Sequence, residues 1–334
     1  MKRKYLILAP ICAMALSACS LLGKVYEPKD YFLDLEFKSG RILQLTDTHI
    51  GDKDDQEKHF KFMDLTINEA KANGGLDLII ITGDVFTFAS RGTAQRMFAW
   101  LDSHEVPWTL TWGNHDEQCY FSIDWVTSYL NGLNDDENSY CVFKDLQDDK
   151  IHGNANFAIN MKKAGEDKIF EQLIVMDSNR YNFKGYFGYD YFKQDQINWY
   201  SDLVDYTTEQ NGGVAVPSLM FYHIPLPEVN DAIEANKDIM GGDNIQNEDT
   251  CPPKYNSGFF EVIENKKSTT AMFFGHDHIN KFCLNYRGID FVYGVKSTDR
   301  IYYNEDLLGG QVITIGNDHK TTVQQIYHAY SEVK

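Results

Sequence analysis

Five short polar motifs carry most of the chemistry available to this chain. They are Asp47-Thr48-His49, Gly83-Asp84, Gly113-Asn114-His115-Asp116, a lone His223 between Tyr222 and Ile224, and Gly275-His276-Asp277-His278. From them Asp47, His49, Asp84, Asn114, His223, His276 and His278 form a donor set made only of nitrogen and oxygen. A set of this size suits two transition-metal ions that share one bridging carboxylate. Such a pair makes a nucleophilic hydroxide near neutral pH and clamps a phosphoryl group for in-line attack. With no thiolate among the donors, the set selects only weakly among Mn, Fe and Zn.

The placement of the motifs matters more than their residue types. Each follows at once on a short apolar run: Arg41–Thr46, Leu76–Thr82, Val106–Trp112, Val216–Tyr222 and Thr269–Phe274. These runs are rich in β-branched and aromatic residues and bounded by turn residues, which predicts buried strands. In layered α/β folds, ligands bind at the carboxyl ends of strands. Residues spread over about 230 positions are therefore expected to converge on one edge of the sheets. Helices are expected over Gln56–Asn73, Thr93–Ser103, Ser122–Leu130 and Gln194–Glu209. In the first of these, Phe60, Met63, Ile67 and Ala70 recur at helical spacing and read as a core-packing stripe. A single Asp or His at a strand end is ordinarily a cap, a turn or a satisfied polar group. His59, His104, His152, His319 and His328 match no motif and take that ordinary reading.

In order and in full, the motifs resemble the signature of the calcineurin-like metallophosphoesterase superfamily: DxH, GD, GNH[DE], H and GHxH. The flanking text, Tyr186–Tyr200, Phe221–Glu228, Cys251–Glu261 and Gly275–Asn280, is similar to the branch related to purple acid phosphatases and their fungal and plant cousins. The resemblance implies a four-layer α/β/β/α sandwich of two mixed sheets, with helices outside and the metal site at the strand C-terminal ends. It implies one metal on Asp47, His49, Asp84 and His278, and a second on Asp84, Asn114, His223 and His276, with Asp84 bridging. It also implies that His115 is not a ligand but contacts the phosphoryl oxygen or the leaving group. Asp116 and Asp277 are expected to orient nearby imidazoles. Neutral imidazoles are needed for ligation, so activity should fail at low pH. One departure stands out: purple enzymes carry an iron-binding Tyr three residues after the GD aspartate, and here that position is Thr87. A tyrosinate colour and an obligatory ferric ion are therefore not implied.

Residues 1–22 read as a targeting segment. Lys2, Arg3 and Lys4 form a basic region and Tyr5–Leu16 an apolar one. The run Leu16-Ser17-Ala18-Cys19 resembles a bacterial lipobox, in which the cysteine becomes the lipidated first residue. Cutting after Ala18 places Leu16 at −3, which suits a lipobox better than ordinary signal cleavage. The alternative is an uncleaved anchor, since Tyr5–Leu22 is 18 residues without a charge. Either reading puts the remainder, residues 23–334, outside the cytoplasm as one catalytic domain tied to a bacterial membrane.

Net charge is −18, from 31 basic and 49 acidic residues, and the basic ones do not cluster after the first segment. That argues against a sequence-independent grip on nucleic acid, so no nucleic-acid partner is expected. Small phosphoesters remain compatible because metals supply positive charge locally. Cys119, Cys141, Cys251 and Cys283 allow three disulfide pairings, none preferred by spacing. The leading expectation is thus a metal-dependent phosphohydrolase acting on small phosphoesters. The alternatives are a surface binding protein that uses the same scaffold without turnover, and a phosphodiesterase or nuclease rather than a monoesterase. The segment 230–258, polar and Gly-containing, is a candidate wall that would separate monoesters from diesters.

Overall fold

The computed structural model describes residues 26–53, 55–146, 151–182 and 188–333. The targeting segment and Cys19 lie outside the described residues. Two large mixed sheets organise the rest. The first has seven strands in the order β1 (Phe32–Glu36), β5 (Phe157–Lys162), β6 (Ile169–Val175), β9 (Ser218–Phe221), β10 (Thr269–Phe274), β12 (Ile289–Tyr293) and β11 (Cys283–Tyr286). The second has five, in the order β14 (Thr321–Tyr327), β13 (Gly309–Ile315), β2 (Arg41–Leu45), β3 (Leu78–Thr82) and β4 (Trp108–Thr111). A two-stranded ribbon pairs β7 (Tyr181–Asn182) with β8 (Gly188–Tyr189).

Side-chain alternation along the strands explains the layering. Leu173, Val175, Leu219, Phe221, Ala271 and Phe273 of the larger sheet share one core with Ile42 and Ile79 of the smaller. Their neighbours Ile174, Met220, Met272 and Phe274 point the other way, into a second core. Helices α4 (Gln194–Gln210), α5 (Val229–Ala235) and α6 (Phe259–Lys266) cover that outer face with Trp199, Leu203, Val229, Phe259 and Ile263. On the far side of the smaller sheet lie α1 (Gln56–Ala72), α2 (Arg91–Asp102) and α3 (Ile123–Asn134). All four residues of the α1 stripe, Phe60, Met63, Ile67 and Ala70, are buried there. The result is the expected four-layer α/β/β/α arrangement. No described helix is long and apolar enough to cross a membrane.

Helix starts follow local capping. Ser90 Oγ accepts from Thr93 N, so α2 begins two residues earlier than its apolar periodicity suggests. Ser122 and Asp55 cap α3 and α1 in the same way. The strand polarity is what matters for chemistry. β2, β3 and β4 run parallel and side by side, as do β9 and β10. Every motif-bearing strand therefore delivers its carboxyl end beside that of its motif-bearing neighbour.

Candidate metal centre

At these strand ends the chain turns sharply. Asp47 (φ 54°), His49 (46°), Asp84 (47°) and His276 (83°) all adopt left-handed backbone angles. Asp and His enter that region more readily than most residues, yet such conformations still cost of order 1–3 kcal/mol each, so the surroundings must enforce them. Glycines permit the close approach. A Cβ on Gly113 would lie 2.2 Å from Asp84 Oδ1, and one on Gly275 would lie 2.5 Å from Asp47 Oδ2. A brace behind the first loop comes from the segment after β12. Lys296 Nζ donates to the Asp47 carbonyl at 2.8 Å, Thr298 Oγ1 donates to the Thr48 carbonyl at 2.8 Å, and Ser297 Oγ accepts from Thr46 N at 3.0 Å.

Two groups of side chains result, each able to hold a metal ion. Asp47, His49, Asp84 and His278 bring one donor atom apiece to within 4.8 Å of one another, and so do Asp84, His223 and His276. Asp84 belongs to both. His49 Nε2 and His278 Nε2 are 3.0 Å apart, and His223 Nε2 is 3.2 Å from Asp84 Oδ2. Asp47 Oδ1 has the His278 ring nitrogen 3.4 Å away, and Asn114 Oδ1 and His276 Nε2 are buried without a hydrogen-bond partner. Buried polar atoms are seldom left so. Two orphaned donor atoms, with the other expected ligands turned toward one another, fit a pair of cations.

The outer ring nitrogens are tied down, which fixes the inward-facing ones. His223 Nδ1 donates to the Thr82 carbonyl at 2.8 Å and His278 Nδ1 to the Tyr302 carbonyl at 2.9 Å. His49 Nδ1 bonds the Thr87 hydroxyl at 2.8 Å. Thr87, which stands where purple enzymes carry Tyr, thus holds a ligand-type imidazole from behind. Each Nε2 is thereby turned toward the centre, where it can ligate once deprotonated. Asn114 is oriented likewise: its Nδ2 donates to Tyr181 Oη at 2.9 Å, leaving Oδ1 free to face inward.

The roles expected for two aspartates need correction. Among the described residues Asp116 contacts no imidazole by hydrogen bond; it accepts from the backbone N–H groups of Gly113 at 2.7 Å and Phe86 at 2.8 Å. Asp277 accepts from Cys251 N at 3.2 Å and from the Tyr293 hydroxyl. Tight loops leave backbone donors without ladder partners, and these carboxylates satisfy them. Carbonyls and a threonine do the imidazole orienting instead.

His115 sits in neither metal group. It is half-buried, with its ring centroid 5.1 Å from that of His49. Its backbone N–H donates to Asp84 Oδ1 at 2.7 Å, and its Nδ1 donates to Gln118 Oε1 at 2.9 Å. The second ring nitrogen is therefore the one available to a reacting group.

Burial opposes charge throughout this centre. Against it, His278, His223 and Lys296 hold Asp47 below the ordinary carboxylate range, and His223 and His49 do the same for Asp84. Burial pushes His276 down to about 3 and, with help from Lys296, pushes His49 well below the usual imidazole value. His223 runs the other way: burial lowers it, but Asp84 raises it to about 10. In the absence of a cation, the Asp84–His223 pair thus keeps a proton where the second group converges.

Several contributors escape sequence reading. Lys296 had a signal, since it lies just past the end of another strand, β12. Gln118 and Tyr181 had none, because their contacts come from loops that pattern does not describe. The segment 230–258 does reach the last motif: Asn280 Oδ1 accepts from Asn247 N and Glu248 N, and Glu248 Oε1 accepts from Ile279 N. The histidines outside the motifs are partnered by carboxylates. His104 pairs with Asp64, His152 with Asp195, His319 with Glu171, His328 with Glu69, and His59 with Asp299. None of the four cysteines in the described residues is disulfide-bonded.

The profile of one family, calcineurin-like phosphoesterase, matches residues 40–280, a span that contains all five motifs. The chain belongs to the calcineurin-like phosphoesterase family. As a family member it is a metal-dependent phosphoesterase. Among curated relatives, it is 27% identical over 326 residues to probable inactive purple acid phosphatase 29 of Arabidopsis thaliana, covering 87% of this chain and 78% of that one. It is 28% identical over 270 residues to phosphatase DCR2 of Saccharomyces cerevisiae, covering 73% of this chain and 45% of that one. Among solved structures, a dimetal phosphatase from Danio rerio superposes with a TM-score of 0.52 at 12% identity, covering 83% of this chain and 93% of the other. That last likeness is one of fold.

Proposed function

We propose that this phosphoesterase is an extracytoplasmic phosphohydrolase with two metal ions, anchored to a bacterial membrane through a lipid on Cys19. Asp47, His49, Asp84 and His278 hold one metal, and Asp84, Asn114, His223 and His276 hold the other. When bound, the two ions acidify a water and neutralise charge on the transferring phosphoryl group. The chain's own residues supply the rest. The Thr82 and Tyr302 carbonyls keep His223 and His278 in the ligating tautomer, and the Thr87 hydroxyl holds the His49 ring in place. Gln118 aims His115 so that its free ring nitrogen protonates the leaving oxygen.

The observation that carries this reading is the pair of converging donor groups that share Asp84, beside which Asn114 Oδ1 and His276 Nε2 are buried without a partner. The competing reading is a scaffold without turnover, favoured by the word "inactive" in the names of some plant relatives. Every residue of the expected ligand set is present here, and His115 is positioned by its own hydrogen bonds, which a purely structural site does not need. Turnover of nitrophenyl phosphate by the purified chain decides the matter. Activity that chelation removes and Mn, Fe or Zn restores supports the hydrolase. Metal-loaded protein with no turnover on aryl monoesters, diesters, nucleotides or lipid headgroup esters supports the scaffold.

A further inference from the structure

His278 meets the same residue twice. Its Nδ1 donates to the Tyr302 carbonyl at 2.9 Å, and its ring lies stacked on the Tyr302 ring, with centroids 4.2 Å apart and planes 25° from parallel. A single hydrogen bond leaves an imidazole free to tip about that bond; the stack removes this freedom. The residue before Tyr302 shows that the placement is enforced. Ile301 has φ 66° and is 49% exposed. A β-branched residue in the left-handed region is a genuine outlier, and it persists only where the surroundings hold it. Burial of the Ile301 side chain does not offset that strain. What the turn at Ile301 delivers is Tyr302, carbonyl and ring together, onto His278.

The far end of Tyr302 is anchored as well. Its hydroxyl donates to Glu248 Oε2 at 3.0 Å, and Glu248 Oε1 accepts from Ile279 N at 3.0 Å. Ile279 directly follows His278, so His278, Ile279, Glu248 and Tyr302 close a ring of contacts around one ligand. Glu248 has a fixed base from which to act. Ile245 and Lys281 exchange backbone hydrogen bonds at 2.6 and 2.8 Å, Glu248 N donates to Asn280 Oδ1 at 3.1 Å, and Cys251 N donates to Asp277 Oδ2 at 3.2 Å. Tyr302 itself is 45% exposed, so core packing does not account for where its ring lies.

We infer that Tyr302 is a positioning residue for the first metal, acting through His278, and that Glu248 holds Tyr302 in place. The inference rests on the two-metal reading of the centre and extends it to side chains outside the ligand set. Ligands of the second group draw on other supports, Tyr181 for Asn114 and the Thr82 carbonyl for His223. The effect of Tyr302 is therefore confined to one of the two ions.

Calorimetric zinc titration of the full chain, freed of metal by chelation, tests this. The wild type should take up two ions. Tyr302→Ala, a truncation at an exposed position, should weaken one of them by roughly tenfold to a hundredfold, the usual effect of removing an outer partner of a metal ligand. Tyr302→Phe keeps the ring and the backbone carbonyl and drops only the hydroxyl, so it should lose less, about twofold to tenfold, as one hydrogen bond is worth. A His278→Ala background separates positioning from a general structural role. There one ion should remain, and adding Tyr302→Ala should leave its affinity unchanged, because two substitutions that act through one contact do not add. Wild-type affinity for both ions in Tyr302→Ala overturns the inference, and so does a loss that persists in the His278→Ala background. Wild-type affinity in Tyr302→Phe overturns the part given to Glu248. A wild-type chain that takes up no pair of ions brings down the two-metal reading itself, and this inference with it.

Discussion

Removing one imidazole, in His115→Ala, separates chemistry from metal binding. The His115 side chain bonds Gln118 and lies against the His49 ring, but it belongs to neither metal group. The contact that links this residue to Asp84, which the two groups share, is its backbone N–H on Asp84 Oδ1 at 2.7 Å, which alanine keeps. The variant should therefore retain both metals and the fold. What it loses is a proton donor to the departing oxygen, worth about 10²–10⁴-fold in rate, or roughly 3–5 kcal/mol of transition-state stabilisation. The loss should fall on poor leaving groups. An alkyl phosphate should slow by that factor, whereas nitrophenyl phosphate, whose leaving group departs without a proton, should slow much less. Gln118→Ala should reproduce a smaller version of the same pattern, since the ring remains but is no longer aimed. Steady-state kinetics on both esters, with elemental analysis of each variant, gives the answer. Loss of metal in His115→Ala, or equal slowing on both esters, refutes the role given to this residue.

Other consequences follow from single contacts. Gly113→Ala places a methyl group 2.2 Å from Asp84 Oδ1, so it should abolish metal retention and destabilise the fold by about 1–3 kcal/mol as an overpacked site does; thermal melts with metal analysis read both. Metal uptake should release a proton from the Asp84–His223 pair, because Asp84 raises His223 to about 10 and ligation needs the neutral ring. Apparent metal affinity should therefore climb as pH rises toward that value and fall toward acid, and calorimetry in buffers of different ionisation enthalpy counts the protons. Cys19→Ala should release the chain from membranes or block its maturation; unchanged fractionation with no lost lipid mass would favour the uncleaved anchor over Tyr5–Leu22.

Much of this centre is legible in the sequence because strand and motif are contiguous. Leu78–Thr82 is an unbroken buried strand, and Gly83-Asp84 follows it directly, so the strand's polarity alone aims the aspartate. The same holds for His223 after β9 and for Gly275 after β10. The illegible parts depend on contacts between distant segments. Its place just past β12 puts Lys296 at the edge of the sheet, but its partner, the carbonyl of Asp47, lies 249 residues away in the chain. Asp116 and Asp277 illustrate the limit from the other side. A carboxylate next to an imidazole in sequence suggests an imidazole partner, but local turn geometry sends both to backbone donors and, for Asp277, to Tyr293. Strands such as β1 and β14 carry no motif and have half-exposed patterns, so pairing in the folded sheet defines them more than their own composition does.

The central claim is that two cations share Asp84. Elemental analysis of active protein, paired with Asp84→Ala, tests it most directly. The account predicts about two transition-metal ions per wild-type chain, as a carboxylate-bridged pair requires, and loss of both metal and turnover in the variant. Trace metal in active wild-type protein, or an Asp84→Ala variant that keeps its full metal content, would contradict it.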